Sequence, residues 1–484
     1  MNKPVRHIAI FSGVLMFALL ARSTWVQFVR ADDLANNEHN QRVAIANFSQ
    51  PRGNIIVGGQ PITGSTKTGG DLKYKRTYTD GKMYAPITGF FSQGYGSNQL
   101  ENLNNKLLNG SDDRLSLQRT SDLLTRKKAQ GGDVVTTIDP KAQKAAYEGL
   151  GGKKGAVVAL DPRTGKILAL SYTPAYDPST VAGLSGSDKK AWEELEKDKN
   201  KPMLNKALKE VYPPGSTFKI VTASAALENG LYPDINASTD SPDPWIMPGT
   251  VTPLPNQNPT APCKNATLNV AMQHSCNNVY GKVSSDLGKD KMRETAEKFG
   301  FNNPTVDTPV RAAKSAFPDN INKSQTALAG IGQGSLTASP LQVAMMTAAI
   351  ANDGKLMKPY MVEELRGPDL STVEKHKPER MSQAVSPETA KKVQQMMEDT
   401  ATKGTGKAAL IDGITVGGKT GTAERGAKHQ NLAWFISYAK TAEGSPVAVA
   451  VMIDPDDDVP TDQISGGKLA GPIAKKVMQA VLDK

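Results

Sequence analysis

The most restrictive feature of the chain is a set of three strand-like segments near its C-terminus, ITVGGKTGTAE (residues 414–424), LAWFISYA (432–439) and PVAVAVMID (446–454). Each is rich in β-branched, aromatic or small residues, and the connections between them are too short for crossover helices. They predict neighbouring antiparallel strands. A helix with Ile473, Val477 and Val481 at helical spacing follows. Two more apolar runs, 156–160 and 167–170, flank a turn containing Asp161, Pro162 and Gly165 and predict a hairpin. Helical patterns come in separate blocks. Ser339, Pro340 and Gln342 open one with a capping box and a proline at its first position, and Gly354 closes it. Another puts Val393, Met396 and Met397 on one face. Strands joined by short turns, with helices in blocks, predict an α/β (α+β) fold in which an antiparallel sheet carries helices on its faces.

With 484 residues the chain has room for more than this core. Its net charge of +10 suits an anionic surface, but Lys and Arg are scattered, without a basic run interleaved with aromatics and without a zinc or helix-turn-helix pattern. Nucleic acid is therefore not an expected partner. At the N-terminus Lys3 and Arg6 precede an apolar run from Ile8 to Ala21, followed by Arg22, Trp25, Phe28 and Arg30. A spanning helix needs roughly 20 apolar residues, a length reached when Arg22 snorkels outward and Trp25 sits in the interface. No small-x-small cleavage site follows the run. Residues 1–30 are thus expected to be a cytoplasmic tip and an uncleaved, single-pass signal anchor in the cell membrane, with the remainder on the extracytoplasmic side. Residues 31–153, polar and rich in Asn and Gly, read as a small extended non-catalytic module, and 154–484 as the main domain. Cys263 and Cys276 permit a disulfide in an oxidising compartment; two free buried thiols are the alternative.

Three short motifs carry chemistry. In YPPGSTFKIVTASAAL (212–227), Ser216 precedes Lys219 by three residues at the start of an apolar helical pattern. A serine there is commonly a helix cap. The cap leaves Lys219 unexplained, because an amine one turn into a buried helix is desolvated, its pKa falls, and it can take a proton from the serine. Ser187 and Lys190 repeat the spacing within a highly charged stretch and read as surface. Ser275-Cys276-Asn277 puts a hydroxyl and an amide on a loop between helices, where one could relay a proton and the other grip a peptide carbonyl. A capping loop is the plain reading of that motif taken alone. Lys419-Thr420-Gly421-Thr422 lies in a strand, with charge and hydroxyls for a carboxylate and a glycine that lets a ligand backbone approach. Lys67-Thr68-Gly69 has the same three letters in a polar loop and is assigned no role.

Taken together, the order S-x-x-K, S-x-N, K-T-G resembles the transpeptidase domain of penicillin-binding proteins. PRGNI, TTIDPKAQ, VYPPGSTFK, GIGQGSLTASPLQVA and AWFISYA are similar to stretches of the same family. The anchored N-terminal region, without a recognisable glycosyltransferase motif, resembles the class B, monofunctional members and particularly their actinobacterial branch. The resemblance implies that Ser216 is the acylated nucleophile and Lys219 its base. It implies that Ser275 relays the leaving-group proton, that Asn277 binds the stem peptide, and that Lys419, Thr420 and Thr422 hold the substrate carboxylate. Backbone N–H groups of Ser216 and Thr422 would form the oxyanion hole. The implied substrate is an acyl-D-Ala-D-Ala stem peptide, with β-lactams acylating the same serine and no metal or cofactor required. Implied partners are a SEDS-family membrane glycosyltransferase, docked by the anchor and residues 31–153, and other elongation or division proteins. A class D-like β-lactamase and a non-catalytic β-lactam-binding scaffold or sensor are the competing functions.

Overall fold

The computed structural model describes residues 3–35, 45–116, 130–426, 429–460 and 463–483; the parts of the expected module at 36–44 and 117–129 lie outside the described residues. Helix α1 (Lys3–Phe28) has 26 residues, a mean hydropathy of 1.7 and no buried side chain. At 1.5 Å per residue it extends about 39 Å, more than the roughly 30 Å of a bilayer's hydrocarbon core.

The module is built on β1 (Ile55–Val57), β2 (Gln60–Pro61) and β3 (Asp133–Thr136), with β3 parallel to β1. Two strands from far downstream, β6 (Val362–Arg366) and β7 (Thr372–Lys375), continue this sheet beyond β3. The sheet is therefore shared across the boundary expected near Lys153. Beside it, Glu101 is wholly buried and accepts from Arg52 Nε at 2.7 Å and Arg76 Nε at 2.6 Å. Burial pushes the Glu101 pKa up, but the two guanidinium groups outweigh it and hold the carboxyl below its ordinary value.

The larger sheet is antiparallel throughout. It contains β4 (Lys154–Leu160), β5 (Ile167–Thr173), β8 (Thr415–Ala423), β9 (Leu432–Thr441) and β10 (Gly444–Asp454), in the order β8-β9-β10-β4-β5. The predicted hairpin is β4–β5, and β8 is a free edge. Alternation divides the side chains between two cores. Val157, Ala159, Phe435, Val449 and Val451 meet Ala142, Ala146 and Leu150 of α2 (Pro140–Leu150) on one face. Ile473 and Val477 of α8 (Gly471–Leu482) complete that layer. Helix α2, which precedes the boundary expected near Lys153, buries its apolar face on this sheet. Ala156, Val158, Ile436, Ala450 and Met452 face the other core. That core is shared with α3 (Lys219–Glu228), α4 (Leu268–His274), α5 (Asn277–Leu287), α6 (Pro340–Ala351) and α7 (Pro387–Lys403). Every residue of α6 except the last is buried, as its apolar composition on all sides requires. Ser339 caps it by accepting from Gln342 N, but its own N–H donates to Ser315 Oγ at 3.0 Å, while Gln342 Nε2 donates to Phe299 O at 2.7 Å. The expected capping box is thus half formed, its second half given up to a tertiary contact.

Candidate active site

Gly215–Phe218 forms a 3₁₀ turn that runs into α3. Ser216 caps neither element, and among the described residues its hydroxyl has no hydrogen-bond partner. The helix-cap reading therefore fails, and the Oγ is free for chemistry. The turn is wedged in place by backbone. Gly215 has φ +56°, and a Cβ there would lie 2.7 Å from Thr422 O; one on Gly332 would lie 1.9 Å from Gly215 O. Gly215 N donates to Gly332 O at 2.9 Å and Trp434 Nε1 to Pro213 O at 3.1 Å. Gly421 belongs to the same fit. A Cβ on it would meet Thr217 Cγ2 at 2.9 Å, Trp434 Cβ at 3.0 Å and Pro214 O at 3.2 Å. Sequence reasoning gave this glycine to ligand approach; the structure gives it to packing of the Ser216 turn against β8.

Helix α4 ends on Ser275 at φ 61°, the left-handed conformation that closes many helices but is uncommon for a residue with a Cβ. Cys276 then stands at the N-cap of α5. Its sulfur is bonded to Cys263, so the disulfide allowed by the sequence is formed and the Cys276 side chain caps nothing. Asn256 supplies the cap from a distant loop, its Oδ1 accepting from Asn277 N at 2.7 Å and Asn278 N at 3.3 Å.

Two buried amines converge on the elbow between α4 and α5. Lys219 Nζ donates to Ser275 O at 2.7 Å and Asn277 Oδ1 at 2.6 Å, and lies 3.3 Å from Ser275 Oγ. Lys419 Nζ reaches the same Oγ at 2.9 Å and Thr420 O at 2.8 Å. Both lysines are fully buried. Burial, and then the charge of Lys419, push the Lys219 amine well below the ordinary lysine range. Burial brings Lys419 down to about 7.

Three expected contacts are arranged differently. Lys219 makes no hydrogen bond to Ser216 among the described residues, since its donors are taken by Ser275 and Asn277. Asn277 is a bridge, with Oδ1 on Lys219 and Nδ2 donating to Pro255 O at 2.7 Å, which leaves its second Nδ2 hydrogen for a ligand in the cleft. Lys419 points inward at Ser275, while the half-exposed Thr420 and Thr422 remain at the edge of β8. Thr420 Oγ1 is 3.0 Å from Thr405 Oγ1, and Gln257 Nε2 donates to Thr422 Oγ1 at 3.3 Å. Asn256, Gln257, Asn278, Gly332 and Thr405 were not found from sequence, because nothing local marks a residue whose partner lies in another element. The two decoys are peripheral. Lys190 is 79 % exposed and sits by Glu194, and Lys67 ends an exposed hairpin strand.

A buried lysine beside a free serine, with a second lysine across a shared hydroxyl, is a site for serine acyl transfer. Residues 155–479 match the penicillin binding protein transpeptidase domain, and residues 52–134 match the penicillin binding protein A dimerisation domain. The chain belongs to the penicillin-binding protein transpeptidase family. It is 38% identical over 493 residues to the peptidoglycan D,D-transpeptidase PbpA of Mycolicibacterium smegmatis, covering 100% of this chain and 99% of the relative. Identity to PbpA of Mycobacterium tuberculosis is 37% over 494 residues, with the same coverage. Among solved structures, the ceftriaxone acyl-enzyme of penicillin-binding protein A from M. tuberculosis superposes with a TM-score of 0.86 at 36% identity, covering 90% of this chain and 100% of that one. The imipenem acyl-enzyme of the same protein gives 0.84 at the same identity and coverage.

Proposed function

We propose that the chain is a peptidoglycan D,D-transpeptidase that works through an acyl-enzyme on Ser216 and is acylated by β-lactams at the same atom. The observation that carries this reading is the convergence of Lys219 and Lys419 on Ser275 Oγ, next to the unpartnered Ser216 hydroxyl. In the first step the neutral Lys219 amine takes the Ser216 proton as Oγ attacks the carbonyl of a D-Ala-D-Ala bond. The small rotation this needs is available once Lys219 gives up one contact at the Ser275 loop. Negative charge developing on the carbonyl oxygen falls to the N–H groups of Ser216 and Thr422. The proton then travels from Lys219 through Ser275 to the departing D-Ala nitrogen, with Lys419 holding the Ser275 hydroxyl in line. Thr420 and Thr422 receive the substrate carboxylate, and Lys419 contributes its charge from behind. In the second step an amine of a neighbouring stem peptide attacks the ester, and the protons return by the same route. A β-lactam follows the first step only, because its leaving nitrogen stays tethered.

Intact-protein mass spectrometry after treatment with penicillin tests the assignment. One adduct is expected on the wild type, on Ser187→Ala and on Lys190→Ala, and none on Ser216→Ala, which should keep its thermal midpoint because that hydroxyl caps nothing. Covalent labelling of Ser216→Ala would sink the proposal, and an adduct that hydrolyses within seconds would favour a β-lactamase. In the same reading α1 anchors the protein in the cell membrane with its basic end inside, supported by its length, hydropathy and exposure. The anchor and residues 31–153 would dock a SEDS-family glycosyltransferase that makes the glycan this chain crosslinks. Growth of a null strain restored by a chimera with a foreign anchor and a shortened module would refute that docking.

A further inference from the structure

We propose that Asn256, held by Asp243, is a positioning residue for acyl transfer: it aims the Asn277 carboxamide at Lys219 and at the acyl donor. This rests on the function proposed above. Asn277 is the first residue of α5, and one short segment grips it twice. Asn256 Oδ1 accepts from its backbone N–H at 2.7 Å, and the neighbouring Pro255 O accepts from its Nδ2 at 2.7 Å. Asn277 Oδ1 accepts in turn from Lys219 Nζ at 2.6 Å. A primary amide is planar, so with its oxygen and one hydrogen fixed the second Nδ2 hydrogen has a single direction left.

Asp243 decides which end of its amide Asn256 presents. The two ends are similar in size, and only the oxygen can cap a helix. Asp243 Oδ2 accepts from Asn256 Nδ2 at 2.8 Å, and because a carboxylate has no hydrogen to give, it selects the orientation with Oδ1 on α5. The position of the pair is set by its surroundings. Trp245 stands opposite Leu254 and Ile246 opposite Pro253 in a short antiparallel ladder. Carried two residues further, the same register brings Asp243 opposite Asn256. Trp245 and Leu254 are buried over Gly281 of α5, where a Cβ would lie 2.5 Å from Leu254 Cδ2 and 3.2 Å from Trp245 Cζ3. That glycine, one turn after Asn277, lets the ladder seat on the helix whose start Asn256 caps. Asn278 Nδ2 ties down the strand that carries Asp243, donating to Ser241 O at 3.2 Å and Pro242 O at 3.0 Å. A carboxamide on such a support is preorganised, and it hands its own orientation to Asn277.

The test is a mutant cycle on the full chain, read as the second-order constant for acylation by penicillin G, whose acylamido carbonyl is an acceptor for the free Asn277 hydrogen. Asn256→Ala should lower that constant about tenfold, the loss of one well-aimed hydrogen bond. In the Asn277→Ala background the same change should cost less than about twofold, since no carboxamide is left to aim. The thermal midpoint separates aiming from support. Asn277→Ala keeps the backbone N–H that Asn256 caps, so Asn256→Ala should lower the midpoint by a similar amount in both backgrounds. Reversing the pair, Asn256→Asp with Asp243→Asn, keeps an acceptor on α5 and a donor–acceptor contact behind it, and should acylate within about twofold of the wild type. Wild-type acylation by Asn256→Ala, an equal fold-loss in the two backgrounds, or a reversed pair as slow as Asn256→Ala would overturn the assignment of Asn256. The reversed pair decides alone if Asn277→Ala is unreactive. Covalent labelling of Ser216→Ala would instead overturn the underlying reading of the site.

Discussion

Replacing Lys419 by methionine separates the electrostatic from the structural work of the paired amines. Both Nζ atoms reach Ser275 Oγ, at 3.3 and 2.9 Å, so they lie within about 6 Å of one another. At an effective dielectric constant of about 20, two unit charges about 6 Å apart repel by about 3 kcal/mol. Lys419 is, after burial, the cause of the depressed Lys219 pKa. The variant should therefore acylate more slowly, and the acid limb of its penicillin acylation profile should move to higher pH. Stability should change in the opposite sense from activity. The folded protein holds the Lys419 amine down to about 7, whereas an unfolded chain binds that proton up to about pH 10.4. Between these values the unfolded state carries more protons, so wild-type stability falls as pH drops through the window, by about 5 kcal/mol in full and by about 4 kcal/mol at pH 7. Methionine escapes this cost and gives up two hydrogen bonds worth about 1 kcal/mol each. Lys419→Met is thus predicted to be more stable than the wild type by about 2 kcal/mol at pH 7, with the advantage vanishing near pH 9 and the order reversed at pH 10. Stopped-flow acylation across pH and thermal melts at pH 7 and 10 read both effects. An acid limb that stays in place or moves down, or a stability gap that widens toward pH 10, would refute the reasoning.

Glu101→Gln leaves the buried Arg52 and Arg76 without their shared counter-charge and should destabilise the protein by about 3–5 kcal/mol in chemical denaturation. The gap to the wild type should close in acid, because the stability from a depressed carboxyl exists above its unfolded pKa of about 4.3 and is lost as pH falls through the folded value; a loss under about 1 kcal/mol at pH 7 would contradict the triad's role. Gly421→Ala presses a methyl onto Thr217 and Pro214 and should cost about 1–3 kcal/mol while lowering the acylation constant at least about tenfold, since it displaces the Ser216 turn. Wild-type acylation by that variant would return the glycine to a role in ligand approach.

What the sequence by itself determined is what short-range pattern encodes. The apolar run of α1, the apolar, β-branched and aromatic strands of the larger sheet and the helical faces of α7 and α8 each follow from neighbours within a few residues. The Ser216–Lys219 spacing belongs here too, as do the two cysteines close enough to pair. Tertiary structure decided the partners. Lys219 and Lys419 meet at Ser275 from 56 and 144 residues away, and only burial fixes which acceptors their amines choose. For that reason Lys219 was expected on Ser216 and Lys419 on a substrate carboxylate, and both amines turn instead to Ser275. A glycine is equally ambiguous in sequence: Gly421 offers the same missing side chain to a ligand or to a neighbouring turn, and packing assigned it to the turn. The strands β6 and β7 carry no signal that they will join a sheet begun some 300 residues earlier, because strand pairing across such a distance is chosen by which buried backbone groups remain unsatisfied when the two parts of the chain meet.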